Sequence, residues 1–267
     1  ASNPVLSLDN SKLAIVERNK DDETRLVIYS TDDNQQAADD FAKEKQALLD
    51  DDPADIADKA PRVFKRKQKH VLHQINRQGI KNPQWLDENT LFFTATTTVA
   101  KGAIQGISDL YRYDIETGEV SALTHHAGLR RFTISDNGQT VYAEQAKHGF
   151  SELVRFDLNT GVATPLFEKS LETVYDYPLL SPNKTQLAYL KATLNANWQL
   201  YIQNLGGQQS HAVPMPEGYQ YVSQPNWQAD GKGLYFVAGK NKALDLYHYD
   251  LQSNSLSQLT QGQEAVA

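Results

Sequence analysis

Asp109 to Thr124 reads DLYRYDIETGEVSALT. Leu110-Tyr111-Arg112-Tyr113 is a strand-like run, a polar turn carrying Gly118 follows, and Val120-Ser121-Ala122-Leu123 resumes the pattern. Two such runs around a glycine-bearing turn predict a β-hairpin. The phrase returns as ELVRFDLNTGVATPLF from Glu152, as QLYIQNLGGQQSHAVP from Gln199 and as DLYHYDLQSNSLSQLT from Asp245. The four starts lie 43, 47 and 46 residues apart. Repetition at a near-fixed period sets the architecture, so it is weighed before any local signal.

A second marker keeps the same beat. Ser135-Asp136-Asn137-Gly138, Ser181-Pro182-Asn183-Lys184 and Gln228-Ala229-Asp230-Gly231 each precede a short apolar run, with starts 46 and 47 residues apart. Units of about 40 to 50 residues holding four short strands are propeller blades. The expected fold is all-β: a β-propeller of about five four-stranded blades over residues 1–267. A ring of five and a segment of a larger propeller both satisfy this count. Second strands such as Leu234-Tyr235-Phe236-Val237 are apolar without alternation, as expected for strands covered on both faces. Third strands such as 246–249 alternate, which places them nearer the rim. Asp114, Asp157 and Asp250 close third strands and are expected to accept backbone amides two residues on, with Asn204 in the same role in blade four.

Blade one is interrupted. Strands are expected at 3–6, 13–16 and 26–29, but the fourth, 70–75, follows a charged insert, residues 33–69. Residues 35–49 carry Phe41, Leu48 and Leu49 at helical spacing, Asp50-Asp51-Asp52-Pro53 ends that run, and a second short helix is expected at 54–59. Arg62, Lys65, Arg66, Lys67 and Lys69 close the insert as a basic cluster. Three adjacent aspartates lack the alternating ligands and bidentate glutamate of a calcium loop, so a solvated acidic run is the reading taken.

The 267 residues include 26 Lys and Arg against 33 Asp and Glu, a net charge of −7, which lacks the basic footprint of a nucleic-acid binder. With no cysteine, disulfides and thiolate metal sites are excluded, while the redox compartment stays open. No apolar run is long enough to span a membrane as a helix. The chain begins at Ala1, without a methionine or a signal-type segment; a piece of something longer is expected over a processed precursor.

Chemistry-bearing motifs are sparse. No His-Glu-x-x-His, Gly-x-Ser-x-Gly or Gly-x-x-x-x-Gly-Lys occurs, so catalytic residues, metal ligands and cofactor sites are all expected to be none. His70 and His73, three apart on a strand, point to opposite faces, and the pair His125-His126 has no third ligand near in sequence. Asn183-Lys184-Thr185 matches a glycosylation acceptor at the frequency chance alone gives. In a propeller, partners meet the mouth of the channel, where inner strands begin. The candidates there are Lys81, Arg130, Arg131, Tyr175, Asp176, Tyr177, Tyr221 and Gln224. Tyrosines in a polar mouth suit peptide docking, because each offers apolar area with a polar tip. Lining a wet channel is the plainer alternative.

The order of these signals resembles the TolB-like propeller repeat of bacterial envelope proteins: a Ser-x-Asp/Asn-Gly turn, an apolar strand, Asp-Leu-Tyr-x-Tyr-Asp-x-x-x-Gly, then Leu-Thr. That family's turn reads Ser-Pro-Asp-Gly; here Ser181-Pro182-Asn183-Lys184 keeps the proline and Ser135-Asp136-Asn137-Gly138 the glycine. The resemblance covers most of the chain outside the insert. It implies a periplasmic or envelope location and a non-catalytic module that binds a protein or peptide, with no nucleic acid, no membrane span and no cofactor. It equally implies the propeller of a larger hydrolase, a prolyl-oligopeptidase-like serine peptidase or a metallopeptidase, whose catalytic domain lies outside this chain. A sugar-binding or sugar-cleaving propeller is a third reading, and it would want paired carboxylates where Asp176 is the one evident inner-strand acid.

Overall fold

The computed structural model describes residues 2–18, 23–31, 43, 46, 71–97, 106–207, 209–240 and 243–262. They form five four-stranded antiparallel sheets, the blades of a β-propeller. Blade one holds β1 (Ser2–Leu6), β2 (Lys12–Arg18), β3 (Thr24–Ser30) and β4 (Val71–Asn76). Blade two holds β5 (Lys81–Trp85), β6 (Thr90–Thr97), β7 (Ile107–Asp114) and β8 (Val120–Ala122). Blade three holds β9 (Leu129–Ile134), β10 (Thr140–Lys147), β11 (Phe150–Asp157) and β12 (Val162–Pro165). Blade four holds β13 (Thr173–Leu180), β14 (Gln186–Thr193), β15 (Gln199–Asn204) and β16 (Ser210–Ala212). Blade five holds β17 (Tyr221–Trp227), β18 (Gly233–Lys240), β19 (Ala243–Asp250) and β20 (Ser255–Gln258). The strands expected at 110–113 and 246–249 occupy equivalent third places, in β7 and β19. The helices expected in the 33–69 insert lie outside the described residues, apart from Lys43 and Gln46, which are helical, and His70 lies outside them too.

The chain divides into two compact units, Ala1–Leu91 with Tyr113–Glu119, and Phe92–Arg112 with Val120–Ala267. In the first, Ala14, Ile15 and Val16 of β2 pack with Leu26, Val27 and Ile28 of β3. Trp85 at the end of β5 donates its indole N–H to the Val5 carbonyl of β1 at 3.2 Å, tying two inner strands together. The Thr24 hydroxyl takes the Ile80 amide at 2.9 Å and donates to the Arg77 carbonyl at 2.8 Å, fastening the strand that leads into β5. His73 Nδ1 is hydrogen-bonded to the Tyr113 hydroxyl at 2.7 Å.

The second unit shows why the second strands read as unbroken apolar runs. Along β14, Leu187 and Tyr189 enter one cluster with Leu153, Tyr175 and Leu180. Their neighbours Ala188 and Leu190 enter another, with Leu234, Phe236 and Ala238 of β18. Each face of the blade thus buries against a different partner. The third strands differ among themselves: in β7, Leu110, Tyr111 and Tyr113 are all buried and Arg112 is exposed, whereas in β19, where alternation was expected, Leu246, Tyr247 and His248 are half-buried and Tyr249 is buried. Trp227 repeats the Trp85 tie, donating from β17 to the Leu179 carbonyl of β13 at 3.0 Å. The Leu180 amide reaches Thr133 of β9 at 3.3 Å.

The turns explain the recurring polar letters. Ser135 and Ser181 each donate a hydroxyl to the Asn two residues on, and that Asn accepts the amide two residues further, Gln139 at 3.0 Å and Thr185 at 3.2 Å. The next residue, Gly138 or Lys184, takes positive φ, 63° and 56°. Asp114, Asp157 and Asp250 cap the outer hairpins as expected, accepting amides two or three residues on: Thr117 at 2.9 Å, Asn159 at 2.9 Å and Ser253 at 2.7 Å. Asn204 departs from that role. Its side-chain oxygen accepts from Gln186 at 3.0 Å, and the turn closes through its main-chain carbonyl and the Gly207 amide. A neutral amide competes less well than a carboxylate for backbone donors.

The opening Asp and closing Thr of the repeat are partners. Buried Asp109 accepts the Thr124 hydroxyl at 2.9 Å and the His126 and Ala127 amides at 3.0 and 2.9 Å, while the Thr124 hydroxyl takes the Leu110 amide. Asp245, Thr260 and the Gly262 amide repeat this lock in blade five, in solvent.

Candidate functional site

The inner strands of the second unit carry a repeated defect. Pairing of β13 with β14 slips between Asp176 and Leu179, and pairing of β17 with β18 slips between Ser223 and Asn226. At each bulge one residue sits in the left-handed region, Tyr177 at φ 50° and Gln224 at φ 52°, immediately before Pro178 or Pro225. Asn82, before Pro83 in the first unit, has φ 52°. Proline explains part of this: lacking an N–H, it removes a ladder bond and belongs at bulges. The residue before proline is ordinarily extended, so these positions store strain of about 1–3 kcal/mol each. In β9 the pairing slips opposite Arg130 and Arg131, without a proline.

The slip rearranges side chains. Asp176 accepts the amide of Tyr177, released from the ladder, at 2.7 Å through one oxygen and a short bond from Arg131 through the other. The Arg131 guanidinium lies over the Tyr177 ring, 3.8 Å from its centroid, an arrangement that combines charge with flat stacking. Burial opposes the Arg131 charge, but the bond and charge of Asp176 outweigh it and raise its affinity for protons. Burial also raises the Tyr177 hydroxyl above its ordinary range, with Arg131 pulling the other way.

Beside this lies a second ion pair. Arg130 meets Glu144 of β10 at 3.2 Å, the arginine side chain 59% exposed and the glutamate 8%. Ser151 donates to the same Glu144 oxygen at 3.3 Å and to the Tyr175 carbonyl at 3.2 Å. Burial pushes the Glu144 carboxyl above the usual range and the Asp176 charge adds to it, while Arg130 and Ser151 hold it down.

Of the residues expected at the mouth, Arg131, Asp176 and Tyr177 touch one another. Arg130 stands next to them on β9, and Tyr221 and Gln224 are exposed on β17. Tyr175 turns the other way: it is buried and stacked on Phe167 with centroids 5.0 Å apart. Its strand neighbours point to the opposite face, so side-chain alternation separates it from Asp176. Lys81 is exposed at the start of β5 in the first unit. Glu144 and Ser151 were missed by sequence reasoning. Their signal was a glutamate inside Val141-Tyr142-Ala143-Glu144, a place where a second strand is otherwise apolar. Among the described residues no three His, Asp or Glu side chains gather as metal ligands would.

No family model matches the chain. Over 84 residues, 31% of this chain, it is 32% identical to 19% of the Tol-Pal system protein TolB of Ruthia magnifica subsp. Calyptogena magnifica. Over 100 residues, 35% of this chain, it is 30% identical to 14% of dipeptidyl-peptidase 5 of Porphyromonas gingivalis. The crystal structure of TolB from Acinetobacter baumannii superposes with a TM-score of 0.65 and 17% identity, covering 94% of this chain and 53% of that one. The chain thus spans about half the length of that structure, and the matched segments are under a fifth of either curated relative. With five repeat-built blades and this superposition, the fold of the chain is that of a TolB-like β-propeller.

Proposed function

We propose that the chain is a non-catalytic binding module that docks a protein or peptide where the inner strands β9, β13 and β17 begin. The observation that carries this is the assembly of Arg131, Asp176 and Tyr177 at a strained bulge, beside exposed Tyr221. Strain kept in a scaffold strand marks a place selected for something besides stability. An aromatic and arginine cluster is the composition of interface hot spots. The TolB likeness supports a periplasmic or envelope setting and a protein partner. Residues 1–267 are read as one propeller, with 33–69 as an insert in blade one.

The test is selection of binders from a displayed random-peptide library on the chain, repeated on Tyr177→Ala and Tyr221→Ala variants that keep the wild-type melting temperature. Binders recovered on wild type and lost on both variants are expected. Binders indifferent to both would place docking elsewhere.

The dipeptidyl-peptidase 5 similarity favours a second reading, the propeller of a larger hydrolase. Both readings expect no peptide or ester hydrolysis by this chain. An antibody raised against it would decide, by mass spectrometry of the native polypeptide it captures: hydrolase-domain peptides in the same band establish the second reading.

A further inference from the structure

Donors and acceptors at the inner-strand bulges are unequally used. The two Asp176 oxygens are taken by the Tyr177 amide and Arg131. Glu144 is buried, with one oxygen bonded by Arg130 and Ser151. The acids therefore offer little to an incoming ligand. Arg131 differs: a guanidinium carries five N–H donors, and the Asp176 bond is its one hydrogen bond among the described residues. Its side chain stays 38% exposed although its flat face rests on Tyr177. Stacking fixes the plane and leaves an edge of paired N–H groups, the geometry that recognises a carboxylate with two parallel bonds. On the next inner strand, the Tyr221 hydroxyl and the Gln224 amide, both on exposed residues, have no hydrogen-bond partner among the described residues. Gln224 occupies the same bulge position on β17 that Tyr177 occupies on β13.

From this we infer that Arg131, held flat on Tyr177, recognises a carboxylate of the bound peptide, with Tyr221 and Gln224 as flanking hydrogen-bond donors. The inference rests on the docking reading above and narrows it. The carboxylate comes from a peptide C-terminus or from an Asp or Glu side chain; the chemistry at Arg131 is the same. Asp176 is then a built-in competitor that keeps the guanidinium in place when the site is empty.

The experiment measures fluorescence anisotropy on the 267-residue chain at pH 7 and low salt, with three peptides carrying a neutral N-terminal fluorophore. They are (Gly-Ser)3 with a free C-terminus, (Gly-Ser)3 with an amidated C-terminus, and amidated (Gly-Ser-Glu)2. At least one carboxylate-bearing peptide is expected to bind about tenfold or more tighter than amidated (Gly-Ser)3, and which one does so names the source. Arg131→Gln should abolish that preference, bringing the carboxylate-bearing peptide down to the level of amidated (Gly-Ser)3 on the same variant. Asp176→Asn, which removes the competitor and keeps an oxygen for the Tyr177 amide, should strengthen binding of the carboxylate peptide. If Arg131→Gln fails to fold, Arg131→Lys retains the charge without the paired edge and should lose most of the preference. Equal binding of neutral and acidic peptides, lost in Tyr221→Ala, would overturn carboxylate recognition while leaving the docking reading intact. No binding of any peptide at millimolar concentration would sink both.

Discussion

Replacing Asp109 by Ala tests whether the repeat's opening residue acts through burial or through its place in the motif. The substitution removes the acceptor for the Thr124 hydroxyl and for the His126 and Ala127 amides. Asp109 is fully buried and Thr124 nearly so, which limits replacement by water. A buried donor left unsatisfied costs about 1–3 kcal/mol, and three donors sharing one small cavity do not add independently. The expected loss is about 3–5 kcal/mol, near that of breaking a buried charged pair. In a chain of this size that lowers the melting temperature by about 6–20 °C. Asp245 makes the same bonds, to Thr260 and Gly262, in solvent. Water replaces it there, so Asp245→Ala should cost about 1 kcal/mol or less, about 4 °C at most. Differential scanning calorimetry of the two variants, with Asp109→Asn falling between them, is the assay. Equal shifts for the two alanine variants would refute the burial argument and return the effect to the motif itself.

Gly128 and Gly149 make a similar pair. A Cβ at Gly128 meets the Ala146 carbonyl oxygen at 2.3 Å with φ +70°, whereas at Gly149, φ +82°, nothing lies within 4 Å. Gly128→Ala should cost well over 3 kcal/mol and Gly149→Ala about 1 kcal/mol in urea denaturation. Trp227→Phe should lose about 1–3 kcal/mol, because the Leu179 carbonyl loses its partner between two blades, with little change in far-ultraviolet circular dichroism. Burial pushes the Tyr189 hydroxyl up to about 12 from 10. The folded state then holds a proton that the unfolded chain releases, so its contribution is complete below pH 10 and is lost as pH rises through 12. Between these values Tyr189→Phe should flatten the fall in stability by up to about 1.4 kcal/mol per pH unit, read from urea midpoints against pH.

The architecture was legible because a propeller repeats its local chemistry. DLYRYD and DLYHYD fall on equivalent strands, and the Ser-x-Asn turns close as their letters indicate. Asn204 shows the limit of that logic: the pattern marked a cap, and its competition with Gln186 depended on the neighbouring strand. The candidate site was legible one strand at a time. Arg131, Asp176 and Tyr177 stood out as polar residues on inner strands, yet nothing in the linear spacing said that Arg131 would reach 45 residues along the chain to Asp176. Of their companions, Glu144 left a trace as an acid within Val141-Tyr142-Ala143-Glu144, whereas Ser151 left none, because its contacts with Glu144 and Tyr175 are made only across strands.

Readable from the linear order was the unit: its length, its four strands and its turn chemistry, set by contacts between residues near in sequence, and its apolar second strand, a pattern that burial between two neighbouring blades imposes. The tertiary structure decided which way each inner-strand side chain faces. A slip of one residue at a bulge reverses side-chain direction: regular alternation ahead of the bulge sends Tyr175 into the core, and the slip after Asp176 puts Tyr177 beneath Arg131.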